Sequence, residues 1–98
     1  MELKDTVELM NSKDFKDRFR AEYYQTKIRY DKLHAMVVKM EAGTLEFKPT
    51  CTLEDFKDQL KHMGGYLYRL EIRAKKEKID LELPNNYVSK NRTLIWQQ

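Results

Sequence analysis

Apolar residues recur along this chain in two long heptad series separated by a short polar stretch. In the first half Phe19, Tyr23, Thr26, Tyr30, Leu33, Val37 and Met40 alternate spacings of four and three. In the second half Leu53, Phe56, Leu60, Met63, Leu67, Leu70 and Ala74 alternate three and four. A period near 3.5 residues lays one apolar stripe along a helix and turns it toward a neighbour. The pattern predicts helix A over 12–42 and helix B over 53–79, joined by a loop over 43–52. Two long helices with so short a connection form an antiparallel hairpin.

Local signals place the ends. Ser12 reads as an N-cap for helix A, with Asp14 in the first turn to complement the helix dipole. Gly43 stands where a left-handed residue ends a helix. Pro49 delays helix B, and Thr52-Leu53-Glu54-Asp55 reads as its capped start. Leu45 and Phe47 alternate with charges in the loop and are expected to cover the hairpin's open end. Gly64-Gly65 falls inside helix B, where each glycine costs about 1 kcal/mol relative to alanine. The unbroken heptad phase from Met63 to Leu67 favours close approach of another helix there over a kink.

Outside the helices, Leu3, Val7 and Met10 predict a short amphipathic helix over 1–11. After Lys78 the period changes to two, at Ile79, Leu81 and Leu83, followed by the turn signal Pro84-Asn85-Asn86. Tyr87-Val88 and Thr93-Leu94-Ile95-Trp96 have strand propensity. The tail 80–98 therefore reads as an extended arm or a small β-hairpin. The expected fold is one all-α domain of 98 residues. Ala21, Tyr24, Ile28, Ala35, Val38 and Ala42 on helix A make a second apolar series beside the first. Gly65, Tyr68, Ile72 and Ile79 do the same on helix B. A helix apolar over two stripes has more than one neighbour, which predicts a homo-oligomeric bundle, dimer or higher.

Composition narrows the chemistry. Charged residues make up 36% of the chain, well above the usual share of about 25%, as solvated outer helix faces require. The net charge of +3 is too small to imply nucleic acid by itself. One cysteine, Cys51, excludes an intrachain disulfide and a cysteine-based metal site, and points to a reducing cytoplasm. No apolar run is long enough to span a membrane, and Met1-Glu2-Leu3-Lys4 does not open a signal peptide.

Candidate catalytic groups are sparse. His34 follows Asp31 by three residues and His62 follows Asp58 by four, but neither has a second histidine at metal-ligand spacing. Ordinary ion pairs account for both. No phosphate-loop, zinc-protease or nucleophile-elbow motif occurs. The expectation is a non-enzyme without a cofactor or metal. The densest basic run is Arg69-Leu70-Glu71-Ile72-Arg73-Ala74-Lys75-Lys76-Glu77-Lys78. In an antiparallel hairpin it meets the start of helix A, which carries Arg20, Tyr24 and Lys27. Arg20, Tyr24, Lys27, Arg69, Arg73 and Lys76 then form a basic-aromatic patch suited to phosphates or to an acidic protein surface. A solvated face with helical ion pairs is the competing account. Trp96, the lone tryptophan, is a candidate anchor, either on its own bundle or on a partner.

Two stretches resemble a known group. They are Phe15-Lys16-Asp17-Arg18-Phe19-Arg20-Ala21-Glu22-Tyr23-Tyr24-Gln25-Thr26-Lys27-Ile28-Arg29-Tyr30-Asp31-Lys32-Leu33, and the later set Leu60, Met63-Gly64, Tyr66-Leu67, Leu70-Glu71, Arg73-Ala74 and Ile79. Together, over about residues 12–81, they resemble small helical proteins of phages and prophages catalogued as crAss-phage related. The resemblance does not extend to 82–98 and carries no catalytic residues. It implies a phage accessory protein that acts by binding in the cytoplasm of a bacterial host. The leading expectation is an antagonist of bacterial immunity, of the anti-CRISPR type, occupying a host protein or defence complex. The alternatives are an oligomeric sponge for a nucleotide immune signal, and a structural or transcription-regulatory phage dimer.

Overall fold

The computed structural model describes residues 1–81, and these are all-helical. A turn of 3-10 helix over Leu3–Thr6 runs into α1, Val7–Met10; α2 spans Phe15–Ala42 and α3 spans Leu53–Glu77. No strand occurs among the described residues. The expected arm or β-hairpin falls mostly on 82–98, outside them.

The N-terminal segment is fastened to α2 by polar contacts. The Glu2 amide donates to Asp5 Oδ2 at 2.7 Å. Thr6 is fully buried; its hydroxyl donates to the Leu3 carbonyl at 2.7 Å and accepts from Gln25 Nε2 at 2.8 Å. Burial of a hydroxyl is tolerated because both bonds are made.

Helix α2 begins later than its sequence predicts. Asp14, not Ser12, is the cap, and its Oδ1 accepts from the Lys16 amide at 2.9 Å. Ser12 serves the turn before it, accepting from the Asp14 amide at 3.1 Å and donating to Asp17 Oδ2 at 2.9 Å. At the other end Gly43 is left-handed, with φ 75°. The amides of Gly43 and Thr44 donate to the carbonyls of Met40 and Lys39, the paired bonds of a Schellman ending.

Thr52 caps α3 as its sequence predicts. Its hydroxyl accepts from the Asp55 amide at 3.2 Å, and Asp55 Oδ2 accepts from the Thr52 amide at 3.3 Å. The helix stops at Glu77, two residues short of the expected end, because Lys78 is left-handed with φ 57°. The Ile79 amide reaches back to the Ala74 carbonyl at 2.8 Å, and the Ile79 side chain is buried beside Ala74. Burying that isoleucine offsets the strain of a non-glycine residue in this region.

Helices α2 and α3 pack with opposite directions. Tyr23, early in α2, bonds Glu71, late in α3, while Glu41 in the last turn of α2 pairs with Lys57 in α3 at 2.7 Å. The core is gathered where α2 begins and α3 ends. Phe19, Tyr23, Tyr24, Leu67, Leu70, Ala74 and Ile79 are buried there, with Met1, Leu9, Tyr30 and Leu81 packed against them. Toward the loop Val37 is still buried, but its seam neighbours Leu33, Met40, Leu53, Phe56, Leu60 and Met63 are only partly so. Gly65 does not admit a close neighbour. It is exposed, and a side-chain carbon placed on it meets nothing within 4 Å. Phe47 does not cover the loop end either, being 60% exposed, while Leu45 is half-buried.

Candidate functional site

The basic residues read from the sequence separate into two groups in space. Tyr24 and Lys27 belong to the interior, at 5% and 4% exposure. Tyr24 meets Tyr23 edge to face, with ring centroids 6.1 Å apart. Lys27 is thus an interior cation on the face of α2 that also carries Tyr23 and Tyr24. Neither forms part of an exposed patch on the single chain. Arg20 is held in place: its Nε donates to the Asp80 carbonyl at 2.7 Å and its guanidinium pairs with Asp17 at 3.1 Å. It ties the segment after α3 to α2. Trp96 lies outside the described residues.

The exposed group is on the last third of α3. Arg69, Arg73 and Lys76 all face solvent. The Arg73 guanidinium sits over the Phe19 ring, 5.0 Å from its centroid, and its Nε lies 3.5 Å from Glu77 Oε2. An aromatic face beneath an arginine restrains it while leaving its outer edge open to a ligand. Tyr68, 55% exposed, stands beside Arg69. From Arg69 to Lys78 five basic side chains face two acidic ones, so this one segment carries an excess equal to the chain's net charge. The positive side chains also complement the C-terminal end of the α3 dipole. Phe19 was legible only as a member of the apolar seam; its pairing with Arg73 required the fold.

A second feature lies at the opposite end. His34, Val37, Val38, Glu41, Ala42, Lys57 and Leu60 line a groove of about 540 Å³ between α2 and α3. Val38 is 51% exposed on its rim. The second apolar series of helix A was the signal for it. The His34 ring stacks on Tyr30 at 6.0 Å with an interplanar angle of 17°. Burial, and secondarily the Asp31 carboxylate, push the Tyr30 phenol above its ordinary range. His62 and Cys51 are exposed. Among the described residues, no cluster of histidine, cysteine and carboxylate side chains could hold a metal ion. No helix there is long and apolar enough to cross a membrane.

These features define a small helical scaffold that presents charged and aromatic side chains on the surface of two long helices. The model of the Sequestin family matches residues 13–76, about two thirds of the chain, and the protein belongs to that family. The matched stretch falls inside the region of the phage-protein resemblance, but nothing in the match concerns crAss-like phages. No curated protein and no solved structure matches the chain.

Proposed function

We propose that this protein acts by binding rather than catalysis, as a phage-encoded sequestering protein that withholds a phosphorylated nucleotide signal from bacterial immunity. The observation that carries the proposal is the open arginine edge on α3. Arg73 is steadied on Phe19, with Arg69, Lys76 and the exposed Tyr68 alongside. Guanidinium groups bind phosphate oxygens in pairs, and a tyrosine face offers a platform for a base. The family name, Sequestin, denotes retention of a partner and supports the same reading. In this proposal the protein works in the bacterial cytoplasm as a homo-oligomer of antiparallel hairpins.

A contact inhibitor of a defence complex, of the anti-CRISPR type, is the second reading. The separately exposed apolar side chains of Phe47, Val38 and Tyr68 favour it.

The test begins with protein purified from a bacterium whose nucleotide signalling has been triggered. Heat denaturation should release a small phosphorylated nucleotide detectable by mass spectrometry. Calorimetry with a panel of cyclic nucleotides should show binding that weakens with salt and is lost when Arg69, Arg73 and Lys76 are all replaced by Glu. Release of nothing, together with capture of one host protein, would transfer the function to the second reading. Unchanged binding in the triple variant would remove the arginine edge from it.

A further inference from the structure

We infer that Glu77 is a specificity-determining residue of the arginine edge, a tethered carboxylate that turns away carboxylate ligands and yields to phosphates. The inference rests on the phosphate reading of that edge and names what the edge refuses. Two carboxylates occur between Arg69 and Lys78, those of Glu71 and Glu77. Glu71 is turned toward α2, where it accepts from the Tyr23 hydroxyl at 2.8 Å. Glu77 stays at the edge, with its Oε2 3.5 Å from Arg73 Nε and both side chains partly open to solvent. The fold fixes both partners. Phe19 is itself buried and lies beneath the Arg73 guanidinium, 5.0 Å away at its ring centroid, which restrains the arginine. Glu77 is the last residue of α3, and the left-handed Lys78 with the Ile79-to-Ala74 backbone bond ends the helix at that point.

A pair four residues apart on an exposed helix face is weak, so it exchanges readily for a better acceptor. A free carboxylate is no better. It is the same acceptor as Glu77, but Glu77 is held one helical turn away and acts at a high effective concentration. A carboxylate ligand therefore gains nothing by displacing it. A phosphate brings more acceptor oxygens and, when doubly ionised, more charge to a guanidinium. It can take Arg73 from Glu77 and draw at the same time on Arg69 and Lys76, which also face solvent. Glu77 thus filters ligands by acceptor strength, and the filter works against every small carboxylate that meets the edge.

Titration of the full-length protein with inorganic pyrophosphate and with succinate, at constant ionic strength, tests this. The readout is the NMR signal of the Arg73 Nε–H group, assigned by its loss in Arg73→Lys. In the wild type pyrophosphate should shift that signal and succinate should not. Glu77→Gln, a change at an exposed position, should tighten pyrophosphate binding about twofold, the worth of one exposed helical pair, and should admit succinate. Glu54→Gln makes the same change of charge in the first turn of α3 and should do neither. Equal effects of the two variants, no effect of Glu77→Gln, or succinate binding to the wild type would overturn the inference. So would a wild type whose Arg73 signal ignores pyrophosphate. Calorimetry with cyclic nucleotides separates this from the sequestering proposal. If they bind and Glu77→Gln changes neither titration, the filter falls and the proposal stands. If pyrophosphate and succinate behave as expected and no nucleotide binds, the proposal falls and the filter stands.

Discussion

Tyr23 and Glu71 are 48 residues apart in the chain, yet the Tyr23 hydroxyl donates to Glu71 Oε2 at 2.8 Å. The bond crosses from α2 to α3 beside Leu67 and Leu70, which are almost wholly buried. It sets the rotation of each helix about its axis, which an apolar stripe alone leaves loosely specified. Glu71 is only half-buried, so water can replace the lost donor in part. Tyr23→Phe should therefore lower stability in urea by about 1–2 kcal/mol, in the range for a hydrogen bond to a charged acceptor. A change below a few tenths would show that the bond adds nothing to packing.

Backbone conformation at two positions predicts changes of the same sign by different routes. Gly65 is helical, exposed and free of neighbours, so Gly65→Ala should stabilise by up to about 1 kcal/mol. Lys78 holds a left-handed conformation at φ 57°, so Lys78→Gly should also stabilise, by roughly 1 kcal/mol. Thermal unfolding of the two single variants and the double variant would check both, with near-additive gains. A loss at residue 65 would mean that a partner helix approaches there in the assembled protein.

Tyr30 predicts a response to alkali. Its phenol is held above the ordinary value near 10, first by burial and then by the Asp31 carboxylate. A folded-state pKa above the unfolded one means that the neutral phenol is favoured by the fold. That contribution is complete below about pH 10 and is lost as pH rises through the folded value. Urea midpoints measured across that window should fall less steeply for Tyr30→Phe than for the wild type. Identical slopes would remove Tyr30 from the alkaline transition.

Much of the helical architecture can be read directly from residue order. The two heptad series, the Gly43 ending and the Thr52–Asp55 cap are local features: each depends on backbone groups and side chains within a few residues. Their physics is the same in the unfolded chain's own neighbourhood as in the fold. Ser12 and Asp14 show the limit of such reading. Both can cap, and the choice fell to Asp14 because Ser12 is engaged by Asp17 in the preceding turn.

Burial was decided by long-range packing. Phe19 and Leu60 occupy equivalent seam positions, yet one is interior and the other half-open, because the N-terminal segment and Ile79 cover only one end of the helices. Tyr24 and Lys27 look like surface-patch residues in the sequence and are interior ones in the fold. The Lys78 stop is illegible without the pocket that receives Ile79. Helix periodicity sets which side chains share a face, but the free energy of burying that face depends on what the rest of the chain brings over it. That is a contact between distant residues, and no local spacing encodes it.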